Sequence, residues 1–382
     1  MISLPCIASD LVTRRTDLDQ WVAGLNSTPM IAVDIEADSL YHFREKVCLI
    51  QMASSRETVV IDPLAIKNLA ALKPVFRNRA VTKVLHGADY DVRSLHRDFS
   101  ISIHNLFDTQ LAARFLGYAE TGLEAVLKNE LGISIDKKYQ RKDWSKRPLP
   151  PEMIAYAASD VCHLIELAKR LQKKLDLKGR LAWVQEECRL LSRVRAAEPG
   201  AGPLFVHFKG AGKLESRQLA VLESLLQLRM EIAREKDRPL YRIIGNRSMM
   251  TLAQTAPTNR KQLEKSGALS VKQREMYAPR VIKAVQAAMR IPVGKLPRYP
   301  RNKTPKVPAI VAERMRALRK WRDARADQLQ IDPALVGTKA LLGAIALNRP
   351  RKKADLLKIE GFKRWQAKAF GAELIALLKK TG

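Results

Sequence analysis

The residues with the clearest chemical potential are Asp34 and Glu36, in the run Met30-Ile31-Ala32-Val33-Asp34-Ile35-Glu36. That run predicts a β-strand: it is apolar, β-branched at its centre and entered just after Pro29. Strand residues alternate faces, so Asp34 and Glu36 share one face and Ile35 takes the other. Two carboxylates side by side at the end of an apolar strand repel each other and lose hydration. A divalent cation between them relieves both costs, and hard Mg²⁺ or Mn²⁺ takes oxygen ligands. A surface strand end with two solvated acids is the competing reading until further acids join the pair.

Two further stretches supply acids in suitable settings. Thr82–His86 reads as a buried strand parallel to the first, followed by Gly87-Ala88-Asp89-Tyr90-Asp91. Gly87 permits a tight turn into a helix, Asp89 reads as its N-cap, and Asp91 falls in its first turn. Ligand sites in such sheets lie beyond the carboxyl ends of the strands, where these acids fall. Later, Pro148, Pro150 and Pro151 precede a helix that is expected to start near Glu152 and to continue through Leu171. It carries Tyr156 and Asp160 at i,i+4, which puts the phenol and the carboxylate on one face. Asp108 reads as a structural cap for the helix that runs through Leu116.

The elements around these residues set the fold class. Residues 10–25 have helical spacing. Lys46–Ala53 and Thr58–Asp62 read as strands that complete an antiparallel meander with the Asp34 strand. A short helix is expected over 69–76 and another opening at 121–127. Strand and helix patterns alternate, so the class is α/β with a mixed sheet.

Together, Asp34-Ile35-Glu36, His86-Gly87-Ala88-Asp89-Tyr90-Asp91 and Tyr156-Ala157-Ala158-Ser159-Asp160 resemble the three motifs of the DEDDy 3′→5′ exonucleases, and within them the ribonuclease D family. Phe107-Asp108-Thr109, Thr121-Gly122-Leu123 and Asp143-Trp144-Ser145-Lys146-Arg147-Pro148-Leu149 belong to the same resemblance, which covers roughly residues 1–190. It implies a ribonuclease H-like domain with Asp34, Glu36, Asp91 and Asp160 as metal ligands. It also implies that Tyr156 helps to position the attacking water. The chemistry is consistent on its own terms. Two divalent ions ~3.5–4 Å apart activate water and stabilise the leaving oxygen of a phosphodiester, and four carboxylates neutralise them. Lys46, Lys138, Lys142 and Arg147 are nearby cations with the chemistry to grip phosphates.

Charge divides the 382-residue chain. Of 68 Lys and Arg and 39 Asp and Glu, residues 1–190 hold 27 and 24, and the remainder holds 41 and 15. The front half is nearly neutral; the back half is a polycation suited to a nucleic acid. Gly210-Ala211-Gly212-Lys213 is not a phosphate-binding loop, because His207 stands where the first glycine belongs and Leu214 where Ser or Thr should follow. Residues 200–213 read as a linker. Helical periodicity follows, then the basic, proline-rich stretch Ile291–Pro305, then helices again. Leu228-Arg229-Met230-Glu231-Ile232-Ala233-Arg234 aligned with Leu318-Arg319-Lys320-Trp321-Arg322-Asp323-Ala324-Arg325 suggests two copies of one module. Asp237-Arg238-Pro239 and Thr251-Leu252-Ala253 in the first copy resemble the HRDC module. So do Asp332-Pro333-Ala334-Leu335-Val336, Ile345-Ala346, Ile359-Glu360-Gly361 and Phe370-Gly371 in the second.

The expectation is therefore an exonuclease domain over 1–195, two small all-α domains over 212–291 and 308–382, and a linker over 292–307. Two divalent ions, an RNA partner with a free 3′ end, tRNA precursors by family analogy, nucleoside 5′-monophosphate products and a monomeric state complete it. A DNA substrate, or binding without cleavage, stands as the alternative. No apolar run approaches the ~20 residues of a membrane span, and Met1-Ile2-Ser3-Leu4-Pro5 carries no signal-peptide pattern. The four cysteines, Cys6, Cys48, Cys162 and Cys188, read as reduced thiols, and a cytoplasmic location is expected.

Overall fold

A computed structural model describes residues 11–25, 28–196, 200, 202–300 and 308–381. The described residues open with an edge strand, Leu11–Val12 (β1), and a helix, Arg15–Gly24 (α1), where spacing alone predicted only helix. Strands Met30–Ala37 (β2), Val47–Ala53 (β3) and Thr58–Ile61 (β4) form the expected antiparallel meander. After helix Leu72–Arg77 (α2), strand Thr82–Leu85 (β5) pairs parallel with β2. Helix Asp89–Phe99 (α3) then leads to a three-residue strand, Leu106–Asp108 (β6), too short to show a period in the sequence. The sheet order β1-β4-β3-β2-β5-β6 puts the Asp34 strand near the centre of a mixed sheet. Every residue of β3 is buried, the polar Gln51 included, which is why the strand shows no alternation of apolar and polar residues.

Five helices complete this layer: Thr109–Leu116 (α4), Leu123–Leu131 (α5), Pro151–Cys162 (α6), Leu164–Leu177 (α7) and Leu181–Leu191 (α8). The single helix expected from Glu152 through Leu171 is interrupted at His163, which closes α6 and opens α7. Cys48 and Cys188 are buried and carry reduced thiols. Cys162 is disulfide-bonded, against the reading of four reduced thiols, and Cys6 lies outside the described residues.

The described chain divides into two compact units. One contains residues 38–46 and 200–300. Its helices are Ser216–Glu235 (α9), Leu240–Ile243 (α10), Asn246–Thr255 (α11), Arg260–Lys265 (α12) and Val271–Met289 (α13). Residues 204–214 are not a linker. Phe205, Phe208, Ala211 and Leu214 are buried in the core of this unit, together with Leu222, Leu225 and Val281. The described part of the proline-rich stretch is likewise folded back: Tyr299 packs on Gly212 and donates its hydroxyl to the Val206 carbonyl at 3.1 Å.

The other unit joins the nuclease layer to Ala309–Leu329 (α14), Pro333–Val336 (α15), Lys339–Asn348 (α16), Lys353–Leu356 (α17) and Arg364–Lys380 (α18). Each of these helices starts 93 positions after its counterpart: Ser216 and Ala309, Leu240 and Pro333, Asn246 and Lys339, Arg260 and Lys353, Val271 and Arg364. The repeat is therefore real, but its register puts Leu228 opposite Trp321 rather than Leu318.

The second copy docks on the nuclease layer through α8. Trp183 and Trp365 stack at 4.7 Å between centroids, and Phe115 meets Trp365 edge-on at 5.6 Å. Glu186 of α8 accepts the backbone N–H groups of Arg364 and Trp365, both at 2.9 Å, and so caps the start of α18 from another element. Glu187 accepts from Lys363 Nζ at 2.5 Å and from the Trp365 indole at 2.8 Å. Arg180 ties Phe115 to Leu329 through their carbonyls, at 2.8 and 2.7 Å.

Candidate active site

Asp34 and Glu36 leave the end of β2 into a cavity of about 380 Å³. Tyr156 and Asp160 line the same cavity from α6, as their i,i+4 spacing requires. Asp91 is buried at the start of α3, within electrostatic range of both Asp34 and Glu36. The structure thus brings all five expected residues to one place, from three separate stretches of chain.

Their ionisation records that proximity. Burial pushes Asp34 up to about 7. It pushes Asp160 up to about 8, with the Asp34 charge adding to the effect. Glu36 rises to about 10, first from burial and then from Asp34, Asp160 and Asp91. Asp91 is raised well above the carboxylate range by burial, then by Asp34 and Asp108. None of the four forms an ion pair among the described residues. Among the described residues no three His, Cys, Asp or Glu side chains already stand at metal-ligand spacing, so the acids share a field before they share a contact. A set of hard oxygen donors, two buried and two half-buried, without a cationic partner among the described residues and beside an open cavity, fits divalent cations by charge and by ligand type.

Two local devices position the set. Gly87, at φ +74°, makes the turn from β5 into α3. Asp89 does not cap that helix, as expected, but is its first residue and pairs with Arg93 at 2.7 Å. The anchoring carboxylate is Asp108. It caps α4 through Gln110 and Leu111, as expected, and also accepts the N–H groups of Gly87 and Ala88 at 3.0 and 2.8 Å. On the other side, Arg147 is no phosphate grip. It holds the buried Asp62 in a two-point pair at 2.6 and 2.8 Å and reaches the carbonyls of Cys48 and Trp144. That fixes Trp144, which stacks on the Tyr156 ring at 6.1 Å. Lys46 is committed to the buried Asp38 at 3.0 Å. Lys138 lies over the Tyr139 ring, and Lys142 is exposed.

Several cavity residues had no signal of their own in the sequence. Gln110, Lys137 and Gln140 reach the cavity from segments with no periodic relation to the acids, and His86 lines it beside them. Gln51, fully buried, sits directly across from Asp34 in the β2–β3 register, with no partner for its amide among the described residues.

Comparison with known proteins agrees with this geometry. A 3′–5′ exonuclease family model matches residues 10–176, and an HRDC domain model matches residues 218–285 and 311–378. Ribonuclease D of Gluconacetobacter diazotrophicus is 31% identical over 372 residues, covering 96% of this chain and 92% of that protein. The chain belongs to the ribonuclease D family of 3′→5′ exoribonucleases. Ribonuclease D of Bartonella henselae is 28% identical, over 97% of this chain and 90% of its own. The solved catalytic core of RRP6 from Trypanosoma brucei superposes with a TM-score of 0.65 at 31% identity, covering 73% of this chain and 79% of that one. Escherichia coli RNase D has the same fold, with a TM-score of 0.74, 24% identity and coverage of 97% and 98%. For this ribonuclease D homologue the two helical copies are HRDC domains, and no single helix among the described residues is long and apolar enough to cross a membrane.

Proposed function

We propose that this exoribonuclease removes nucleoside 5′-monophosphates from RNA 3′ ends with two divalent cations held by Asp34, Glu36, Asp91 and Asp160. We also propose that tRNA precursors are among its substrates, and that it works as a monomer in the cytoplasm. The observation that carries the metal assignment is the convergence of four carboxylates, Asp91 and Asp160 buried and Asp34 and Glu36 half-buried, without a cationic side chain among them. Bound Mg²⁺ or Mn²⁺ would neutralise the acids, make water more acidic and stabilise charge that builds on the phosphate.

The chain's own groups do the rest. Tyr156 stays a neutral phenol, because burial and the charges of Asp160 and Glu36 push its ionisation up. It can therefore donate a hydrogen bond and orient the attacking water, while Trp144 and Tyr139 pack its ring in place. Gln140 at the cavity wall offers an amide donor for phosphate oxygens, and Lys137, paired with Glu124 at 2.7 Å, would have to exchange that partner to do the same.

The test uses 5′-labelled single-stranded RNA, matched DNA and a 3′-extended tRNA, each in Mg²⁺, Mn²⁺ or EDTA, beside Asp34→Ala. A ladder that shrinks from the 3′ end of RNA, needs metal and is lost in the variant is expected. Faster cleavage of DNA, or metal-independent cleavage, rejects the proposal. Cleavage of RNA without trimming of the tRNA rejects only the tRNA part.

A further inference from the structure

In the unit that contains residues 38–46, two tyrosines flank one guanidinium. Arg242 lies 4.8 Å from the centre of the Tyr41 ring and 5.9 Å from that of Tyr241. Its Nε donates to the Tyr241 hydroxyl at 3.3 Å, and that hydroxyl donates to the Leu40 carbonyl at 2.8 Å. The 38–46 segment has other anchors besides this cluster. His42 and the Phe43 backbone are already bound by Asp237, at 2.6 and 3.1 Å, and Phe43 packs on the helical core. Tyr241 is nevertheless 56% exposed, with Leu40 beside it at 42%. An exposed aromatic ring beside a guanidinium offers a flat surface on which a planar partner can rest.

We infer that Tyr41, Arg242 and Tyr241 form a stacking platform for the bases of single-stranded RNA, outside the catalytic cavity. Aromatic rings and an arginine plane are the groups on which unpaired bases stack without regard to sequence. Arg44, Arg238 and Arg247 are exposed close by in the chain and supply charge for the phosphates. The inference rests on the proposed action at RNA 3′ ends. It adds a second contact that makes affinity depend on strand length.

The experiment measures binding of fluorescent oligoadenylates of about 3 to 12 nucleotides in EDTA, a range set by typical single-strand site sizes. Wild type, Tyr241→Ala, Tyr241→Phe and Arg242→Gln are compared. Tyr241→Ala is expected to weaken binding of the longest RNA about 10-fold, with a much smaller loss for the shortest, since one stacked base is worth that much. Tyr241→Phe keeps the ring and should bind within about 2-fold of wild type. Equal affinity of Tyr241→Ala and wild type at all lengths overturns the platform. So does an equal loss in the Ala and Phe variants, which would assign the effect to the Leu40 hydrogen bond. If wild type trims RNA but the length dependence survives in Tyr241→Ala, the nuclease reading stands and the platform alone fails.

Discussion

The Asp108 carboxylate accepts the backbone N–H of Ala88 at 2.8 Å, on the turn that launches the helix carrying Asp91. The same carboxylate holds Gly87, Gln110 and Leu111. One side chain thus fixes the start of two helices, and Asp91 is placed relative to Asp34 by an acid outside the proposed ligand set. Asp108→Asn presents an amide to donors that need an acceptor. We expect a stability loss of about 1–3 kcal/mol, from chemical denaturation. Turnover should fall on the order of 10²-fold with KM little changed, because the error is one of position. Full turnover in a correctly folded Asn variant would contradict this.

Metal-free stability should fall as pH rises. The folded-state values of about 7 for Asp34, about 8 for Asp160 and about 10 for Glu36 lie above those of an unfolded chain, near 4. The folded protein therefore keeps protons that the unfolded chain has released. The stability this provides is complete below about pH 4 and is lost as pH passes through about 7 to 10. Melting temperature in EDTA should drop between about pH 6 and pH 9, and Mg²⁺ or Mn²⁺ should restore more of it at the higher pH. Asp34→Asn should melt higher than wild type in EDTA at about pH 8.5. An identical pH slope in the two proteins would count against the shared field.

Tyr156→Phe separates the phenol from the ring. The ring still packs on Trp144 and Tyr139, so melting temperature should stay within about 2 °C, no more than about 1 kcal/mol would shift in a domain of this size. Loss of the hydroxyl should lower turnover by roughly 10²-fold, with RNA affinity unchanged. A variant as fast as wild type would remove Tyr156 from water positioning.

Docking of the second HRDC domain should be sensitive to one methyl group. Gly117, at φ +89°, would place a Cβ 2.0 Å from the Gln330 carbonyl oxygen. Gly132, at φ +71°, has nothing within 4 Å of such a Cβ. Both alanine variants carry backbone strain of about 1–3 kcal/mol, but only Gly117→Ala adds a clash between two backbones. It should be clearly the less stable of the two in thermal melts and should expose the Trp183–Trp365 stack to fluorescence quenching. Equal melting temperatures would show that the contact yields without cost.

The nuclease family and most of its frame were legible in the residues alone. Asp34 and Glu36 could be placed on one strand face because alternation is a local property, and Tyr156 and Asp160 on one helix face for the same reason. The parallel pairing of β5 with β2 followed from an apolar run and the turn at Gly87. Tertiary structure decided what depends on residues far apart in the chain. That Asp89 pairs with Arg93 while Asp108 does the anchoring could not be read locally, because the donors at Gly87 and Ala88 lie about twenty residues from their acceptor. Arg147 looked free for phosphate until Asp62, eighty-five positions away, was brought against it. The docking of α18 rests on Glu186 and Glu187, whose partners lie at the far end of the chain. Propensity and periodicity act over a few residues, whereas a buried charge or an uncapped helix end takes whatever partner the fold delivers.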